Sequence, residues 1–555
     1  MKRKLSITAI IIVLSSSIFA QVKVKNVILM IPDGTSSEIL SIARWYKYGT
    51  CAADNCRLAI DPHICGMVST YNSDSPIGDS APTGSTYATG YLSNTGFVAT
   101  YPISSGERDL IKVNPDRAYH PLFTILEAAK LQGKSTGVVM TSQFTHATPA
   151  GFAAHTPDRD NKEAIAIQMV YNKLNVVFGG GLQYLDPDKR KDDLDLFSTL
   201  RSRNYHLVTT VEQFDALTPA DTLVYGLFTD NYLPNDLDRD PEKVPSLAEM
   251  TRKAIKILST NPNGFFLMVE GSKIDWSAHV NDPVGVITEF LAFDYAVKEA
   301  MEFANRDGYT AVVVVPDHGN SGISLGNSRS DRTYDVLPIN DLIQPLRECK
   351  MTEEGISGLI RTNPSEAGEI FYSNTGIRLT DDEVQQVIDA MNSTNKYLMP
   401  VTVAGFINKD TYIGFTTHGH TGEDVFLAAY HPANYRPSGV TKNTELHEYL
   451  TEILDLPNLD SLSSTYFCVD SVALQGLNWE IVNPVETEAR LIIRPAGKSN
   501  KRAEIIASSD YLTIFNIEKP IKQIPFSSLA IYVQPIEHFF IPRNLGTLIA
   551  DEFAD

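Results

Sequence analysis

The spacing of hydrophobic and polar residues changes along this chain, and the changes divide it. Residues 24–31 are a largely apolar run, unbroken from Val27 to Ile31, the pattern of a strand buried on both faces. Similar short runs predict strands at 137–141, 175–178, 265–269, 310–315 and 425–430. Apolar positions at helical spacing predict helices at 121–132, 162–174, 247–260, 286–305 and 443–456. The first of these has Pro121 in its opening turn and Gly133 as its stop. Strands alternating with helices imply an α/β fold, with a large, mostly parallel central sheet and helices on both faces.

Two regions break that rhythm. From about 320 to 412 only 382–392 reads as helical, which suggests a crown-like insertion rising over one edge of the sheet. Residues 21–456 thus form a catalytic-sized unit, followed by a linker at 457–467 and a different pattern from 468 to 555. Short alternating strands at 479–482, 491–494, 504–507, 512–517 and 530–533, separated by Gly, Pro, Ser and Asn, predict a small C-terminal all-β module. Trp479, Leu491, Ile493, Ile505, Leu512 and Ile514 are its expected interior.

Composition narrows the class. A mean hydropathy of -0.12 excludes a multi-pass membrane protein. Lys2, Arg3 and Lys4 precede an apolar stretch at 5–14 and small residues up to Ala20, so 1–20 reads as a signal peptide. The mature chain is then expected in the periplasm or outside the cell, with no transmembrane segment after the leader is removed. A net charge of -20 argues against a nucleic-acid-binding surface. Five cysteines are too few for a disulfide scaffold, but the cluster Cys51, Cys56 and Cys65 allows one local bridge.

Candidate chemistry gathers at the carboxyl ends of the predicted strands, the edge where α/β sheets bind ligands. Asp33 ends the first strand. Ser80 sits in Gly78-Asp79-Ser80-Ala81-Pro82-Thr83-Gly84, a loop-to-helix junction whose free N–H groups favour an anion. His146 and Thr148 follow another strand, and Arg159, eleven residues on, offers a planar fork for two phosphate oxygens. Glu270 ends a further strand, and Asp275 and His279 share one helix face at the spacing of two metal ligands. Asp317 and His318 end yet another strand; in 417–424 either His418 or His420 has the chemistry to ligate. Mixed nitrogen and oxygen donors suit zinc, and oxygen donors suit magnesium. A cation beside Ser80 would also remove the need for a histidine base.

Taken in order, these motifs are Asp-Gly after the first strand, Asp-Ser-Ala, and Ala-Thr-Pro-Ala with a following arginine. Val-Glu-Gly-x-x-Ile-Asp-x-x-x-His, Asp-His and His-Thr-Gly-Glu-Asp complete the series. Over residues 23–456 the chain resembles the alkaline phosphatase family of secreted bacterial type. The resemblance implies a phosphomonoesterase of broad specificity for small phosphorylated substrates, working through a phosphoserine at two Zn2+ and one Mg2+. Ser80 would be the nucleophile and Arg159 the phosphoryl clamp. Asp275, His279 and His420 would hold the first zinc, and Asp33, Asp317 and His318 the second. Thr148 and Glu270 would share magnesium with Asp33. His146 and Trp276 fill two substrate-side positions that vary in the family, and His146 leaves the third metal's identity open. A homodimer, common in the family, is allowed. The competing readings are a phosphodiesterase or sulfatase on the same fold, or a non-catalytic phosphate-binding protein. Arg159 beside a third metal site favours a dianionic monoester, and the intact ligand set argues against a decayed enzyme. No predicted ligand lies beyond 456, so a chain ending near Leu456 is expected to retain this chemistry.

Overall fold

The computed structural model describes residues 23–554 apart from 496, 498 and 499; the expected leader lies outside them. Ten strands build one sheet: β1 (Asn26–Pro32), β2 (Ile64–Ser69), β3 (Ser135–Gln143), β4 (Val176–Gly180), β5 (His206–Val208), β6 (Val224–Leu227), β7 (Phe265–Gly271), β8 (Thr310–Val314), β9 (Val425–Tyr430) and β10 (Gly439–Lys442). Their spatial order is β10-β2-β9-β8-β1-β7-β3-β4-β6-β5. Only β9 runs against its neighbours.

The apolar run at 24–31 behaves as its pattern demands, because every residue of β1 is buried. Alternate side chains then serve two cores. Ile28 and Met30 face one, with Phe290 and Phe293 of a long helix, while Val27, Leu29 and Ile31 face the other. The helices that matter below are α1 (Ser80–Thr89), α2 (Ala147–Ala153), α3 (Lys162–Tyr171), α4 (Lys273–His279) and α5 (Pro283–Asp307). The helix expected from 121 starts only at Ile125, since Thr124 and Glu127 form a capping box that fixes its first turn there.

The insertion is more regular than its sequence pattern. It carries five helices, Ile339–Glu348, Glu353–Thr362, Ala367–Thr375, Asp381–Met391 and Leu398–Asn408. Pro345 inside the first, and Gly355 and Gly358 inside the second, interrupt the helical signal. Leu346, Ile356, Ile360 and Phe371 nevertheless pack into the core shared with α5. Two short antiparallel ladders close the insertion's base: Ser324–Leu325 with Ile413–Gly414, and Gly319–Asn320 with His420–Thr421.

Beyond residue 456, the stretch expected as a linker holds the helix Leu459–Tyr466. Five antiparallel strands then follow in sequence order: Asn478–Val482, Arg490–Arg494, Lys501–Ile506, Tyr511–Asn516 and Lys519–Pro525. Leu491, Ile493, Ile505, Leu512 and Ile514 are buried in their core, with Trp479 at its margin. A second sheet joins Cys468–Val469, His538–Ile541 and Ile531–Val533, and the chain closes with a helix, Leu545–Ala554. This small sheet is apolar on both faces. Ile531, Val533 and Phe540 enter the catalytic unit's core, while Tyr532, Phe539 and Ile541 enter the module's. The local bridge expected in the cysteine cluster joins Cys51 and Cys56, leaving Cys65 free. Among the described residues, no helix is long and apolar enough to cross a membrane.

Candidate functional site

Parallel pairing sets the carboxyl ends of four strands side by side. Met30 of β1 lies opposite Val314 of β8 and Val269 of β7, and Met140 of β3 lies opposite Glu270. The residues that end or follow these strands, Asp33, Glu270, Asp317 and His318, are therefore delivered to one buried place. α4 adds Asp275 and His279 from one face, with Asp275 Oδ2 and His279 Nε2 3.4 Å apart. The ladder at the insertion's base pairs His420 with Asn320 and stacks its ring on His318 at 3.9 Å. His420 Nε2 thereby comes within 3.2 Å of His279 Nε2 and 3.7 Å of Asp275 Oδ1.

Ser80 is the first residue of α1. Its Oγ lies 3.2 Å from His318 Nε2 and 3.4 Å from Asp33 Oδ1. His318 Nε2 is 3.5 Å from Asp33 Oδ1 and 3.6 Å from Asp317 Oδ2. A third group brings His146 Nδ1 to 3.8 Å from Glu270 Oε1, near Asp33, with Thr148 two residues further on. Arg159 Nη1 donates to Asp79 at 2.6 Å, while its Nη2 is 3.5 Å from His146 Nε2. The Trp276 ring meets His146 edge-on at 5.6 Å. Every residue singled out by sequence thus lies in or beside one constellation.

An alkaline phosphatase family model matches residues 24–456. The chain belongs to the alkaline phosphatase family. Alkaline phosphatase 3 of Bacillus subtilis is 34% identical over 436 residues, 77% of this chain and 88% of that protein. Alkaline phosphatase 4 of the same organism is 32% identical over 479 residues, 82% and 97% of the two. The crystal structure of a cold-active alkaline phosphatase from the psychrophile Shewanella sp. superposes with a TM-score of 0.66 at 29% identity, covering 77% of this chain and 99% of that one. These relatives make the chain an enzyme, a phosphomonoesterase.

Like its family, this phosphatase has donor groups fit for metal. Asp33 Oδ2, Asp317 Oδ2, Glu270 Oε1, His146 Nδ1 and Thr148 Oγ1 are all buried without a hydrogen-bond partner. Orphan polar atoms of this kind are costly and uncommon, and five in one site mark where positive charge belongs. Burying a carboxylate costs several kcal/mol, and four share this site with one arginine, itself tied to Asp79. Burial, reinforced by Asp317, Asp275 and Glu270, pushes the Asp33 carboxyl well above its usual range. Burial also raises Asp317. For Asp275 burial works in the same direction, but His279 and His420 outweigh it and hold the carboxyl low.

The three histidines are oriented from behind. His279 Nδ1 faces the His418 carbonyl at 2.7 Å, His318 Nδ1 that of Gly319 at 3.1 Å, and His420 Nδ1 that of Gly78 at 2.8 Å. A carbonyl only accepts, so each Nδ1 carries the proton and each Nε2 turns a lone pair into the site. On chemistry alone the sequence left His418 and His420 as alternative ligands; His420 is the one whose ring enters the site, and the His418 carbonyl is what orients His279. Sequence reasoning missed Asp79 and Asn320, whose Nδ2 donates to Asp275 Oδ1 at 2.7 Å. Asp79 lies inside the Asp-Ser-Ala motif and Asn320 two residues past Asp-His, which was the one signal available.

Gly34 makes the convergence sterically possible. Its φ is +56°, and a Cβ there would stand 2.1 Å from Asp275 Oδ1. Gly34→Ala is therefore expected to lower kcat/KM by about 100-fold, the scale set by a displacement of about 1 Å. Steady-state kinetics alongside a metal assay checks this; an unchanged rate would mean that Asp275 need not sit where it does.

Proposed function

We propose that the chain hydrolyses phosphate monoesters by way of a phosphoserine at Ser80, in a centre that takes two zinc ions and one magnesium. The observation that carries this reading is the convergence of three donor groups and Arg159 on one serine at a helix N-terminus. Two ligand atoms on a tetrahedral zinc stand about 3.3 Å apart, given bonds of about 2.0 Å. The donor separations around Asp275, His279 and His420, and around Asp33, Asp317, His318 and Ser80, run from 3.2 to 3.7 Å. These two sets would hold zinc, and the oxygens of Asp33, Thr148 and Glu270 would hold magnesium. When bound, such cations supply charge for the entering and leaving oxygens of an in-line displacement and lower the pKa of a ligated hydroxyl or water.

The chain's own residues do the rest. Ser80 Oγ attacks phosphorus in line with the ester bond, and the alcohol leaves on the far side. Water then attacks the phosphoserine, releasing phosphate and restoring the hydroxyl. The free N–H groups at the start of α1 favour the negative charge that gathers there. Arg159 presents two N–H groups to the non-bridging oxygens, steadied by Asp79. His146 and Trp276 border the phosphoryl position, where Trp276 supplies shape rather than charge. The basic-then-apolar leader supports export to the periplasm or beyond.

The discriminating variant is Arg159→Ser. Because the fork matters most when two free oxygens are charged, kcat/KM for an aryl monoester should fall by roughly 100-fold and that for the diester far less. Equal losses on both substrates would count against a monoester-specific site.

A further inference from the structure

The helix α3 starts three residues after Arg159, and the C-terminal module grips both its ends. At the start, Asn161 uses Oδ1 to cap α3 by accepting from Ala164 N at 3.2 Å. Its Nδ2 donates to Glu486 Oε2 at 2.6 Å. Glu486 belongs to the loop between Asn478–Val482 and Arg490–Arg494, outside the part of the chain matched by the family model. At the far end, Arg203 covers the Tyr171 ring at 4.4 Å and donates to both oxygens of Asp510, at 3.1 and 2.7 Å. Lys173 also pairs with Asp510, and Tyr511 lies against Tyr171.

Glu486 is an unusual choice for mere docking. It is 7% exposed, and its Oε1 is buried without a partner. Burial pushes the carboxyl up to about 7, with Thr156 and Asn161 working against that rise. Apolar contacts would join the two units at less cost than a buried acid. What Glu486 does reach is Asn161, two residues past Arg159. The segment from Thr156 to Asn161 is anchored at its start, where Thr156 and Val98 exchange backbone hydrogen bonds of 2.8 and 3.0 Å, and at the Arg159 side chain, held by Asp79; Asn161 at its end is what Glu486 fixes. Arg159 N donates to Gly96 O at 2.9 Å, and Lys162 Nζ donates back to Arg159 O at 2.7 Å.

We propose that Glu486 is a positioning residue: through Asn161 it holds the Arg159 segment in place, so the C-terminal module takes part in binding the phosphoryl group. This inference rests on the reading of Arg159 as the clamp, and its test separates the two. The full-length, metal-loaded enzyme is compared with Glu486→Ala, Glu486→Gln, Arg159→Ser and the double variant Glu486→Ala/Arg159→Ser. The measurements are kcat/KM for an aryl phosphate monoester and the inhibition constant of inorganic phosphate. Glu486→Ala should lower kcat/KM and weaken phosphate inhibition by about tenfold each, a modest misplacement of the fork. Glu486→Gln keeps an oxygen for Asn161 and should stay within about twofold of wild type. In the Arg159→Ser background, Glu486→Ala should add nothing, because the effect travels through the missing side chain. Equal losses in both backgrounds, or no loss in either, would overturn the proposal. If Arg159→Ser alone leaves phosphate inhibition intact, the clamp reading falls and takes this inference with it.

Discussion

Wild type incubated with labelled phosphate and quenched in acid is expected to carry a covalent phosphoryl group, and Ser80→Ala to eliminate it and to lower kcat by at least about 1,000-fold. Ser80 Oγ is the hydroxyl seated between His318 Nε2 and Asp33 Oδ1. The nearest alternative in the motif, Thr83, is committed to the Asp79 carbonyl at 2.8 Å and does not take its place. The substitution is mild for the fold. Asp79 makes no side-chain cap for α1, and alanine is a good helix former. The thermal midpoint should therefore barely move, and Asp33, Asp317 and His318 remain as three donors for the second site, so a zinc count beside the assay separates lost chemistry from lost metal. Label retained on the variant would place the nucleophile elsewhere.

Asp275→Ala should be nearly as severe by a different route. Asp275 touches both His279 and His420, and Asn320 donates to its Oδ1. In the absence of metal, burial works against a charged His279, but Asp275 overrides this and lifts the ring to about 9. Burial and His318 push His420 down to about 4. Removing the carboxylate leaves two imidazoles to hold a dication. We expect about one zinc per chain to be lost and activity to fall by at least 100-fold, with partial recovery only at high added zinc. Chelated wild type should regain full activity with zinc plus magnesium. Elemental analysis after gel filtration reads the zinc directly, and an undiminished zinc content would show that the first site is misassigned.

How far the site was legible depended on the kind of link that builds it. Asp33, Glu270, Asp317 and His318 end continuous apolar runs, and parallel pairing needs nothing more to collect them. Asp275 and His279 are joined by helix geometry, which four residues of spacing reveal. The approach of His420 to His318 is different. It depends on a ladder of two residues per strand that closes a helical insertion, and such a short pairing leaves no periodic trace. The flanking strands were missed for a related reason: β2 is largely half-exposed and β10 mostly exposed, so neither shows a strong apolar run. In the module, alternation revealed four strands of the five-stranded sheet and missed the fifth, Lys519–Pro525, which is almost wholly exposed. The strand expected at 530–533 is present as Ile531–Val533 but belongs to the small sheet, where all three residues are buried because that sheet is covered on both sides.

That doubly covered sheet has a bearing on how such a chain could be assembled or taken apart. Its strands act as a shared party wall, with Ile531, Val533 and Phe540 on one side and Tyr532, Phe539 and Ile541 on the other. A genetic crossover placed just after Leu456, where the family pattern ends, would strip that wall from the enzyme and leave apolar lining facing water. The point at which the family match ends is thus not a seam along which the molecule can be recombined. A donor that passed on the phosphatase unit would have to pass on residues 457–541 with it, and a module moved alone would carry an oily underside to its new host.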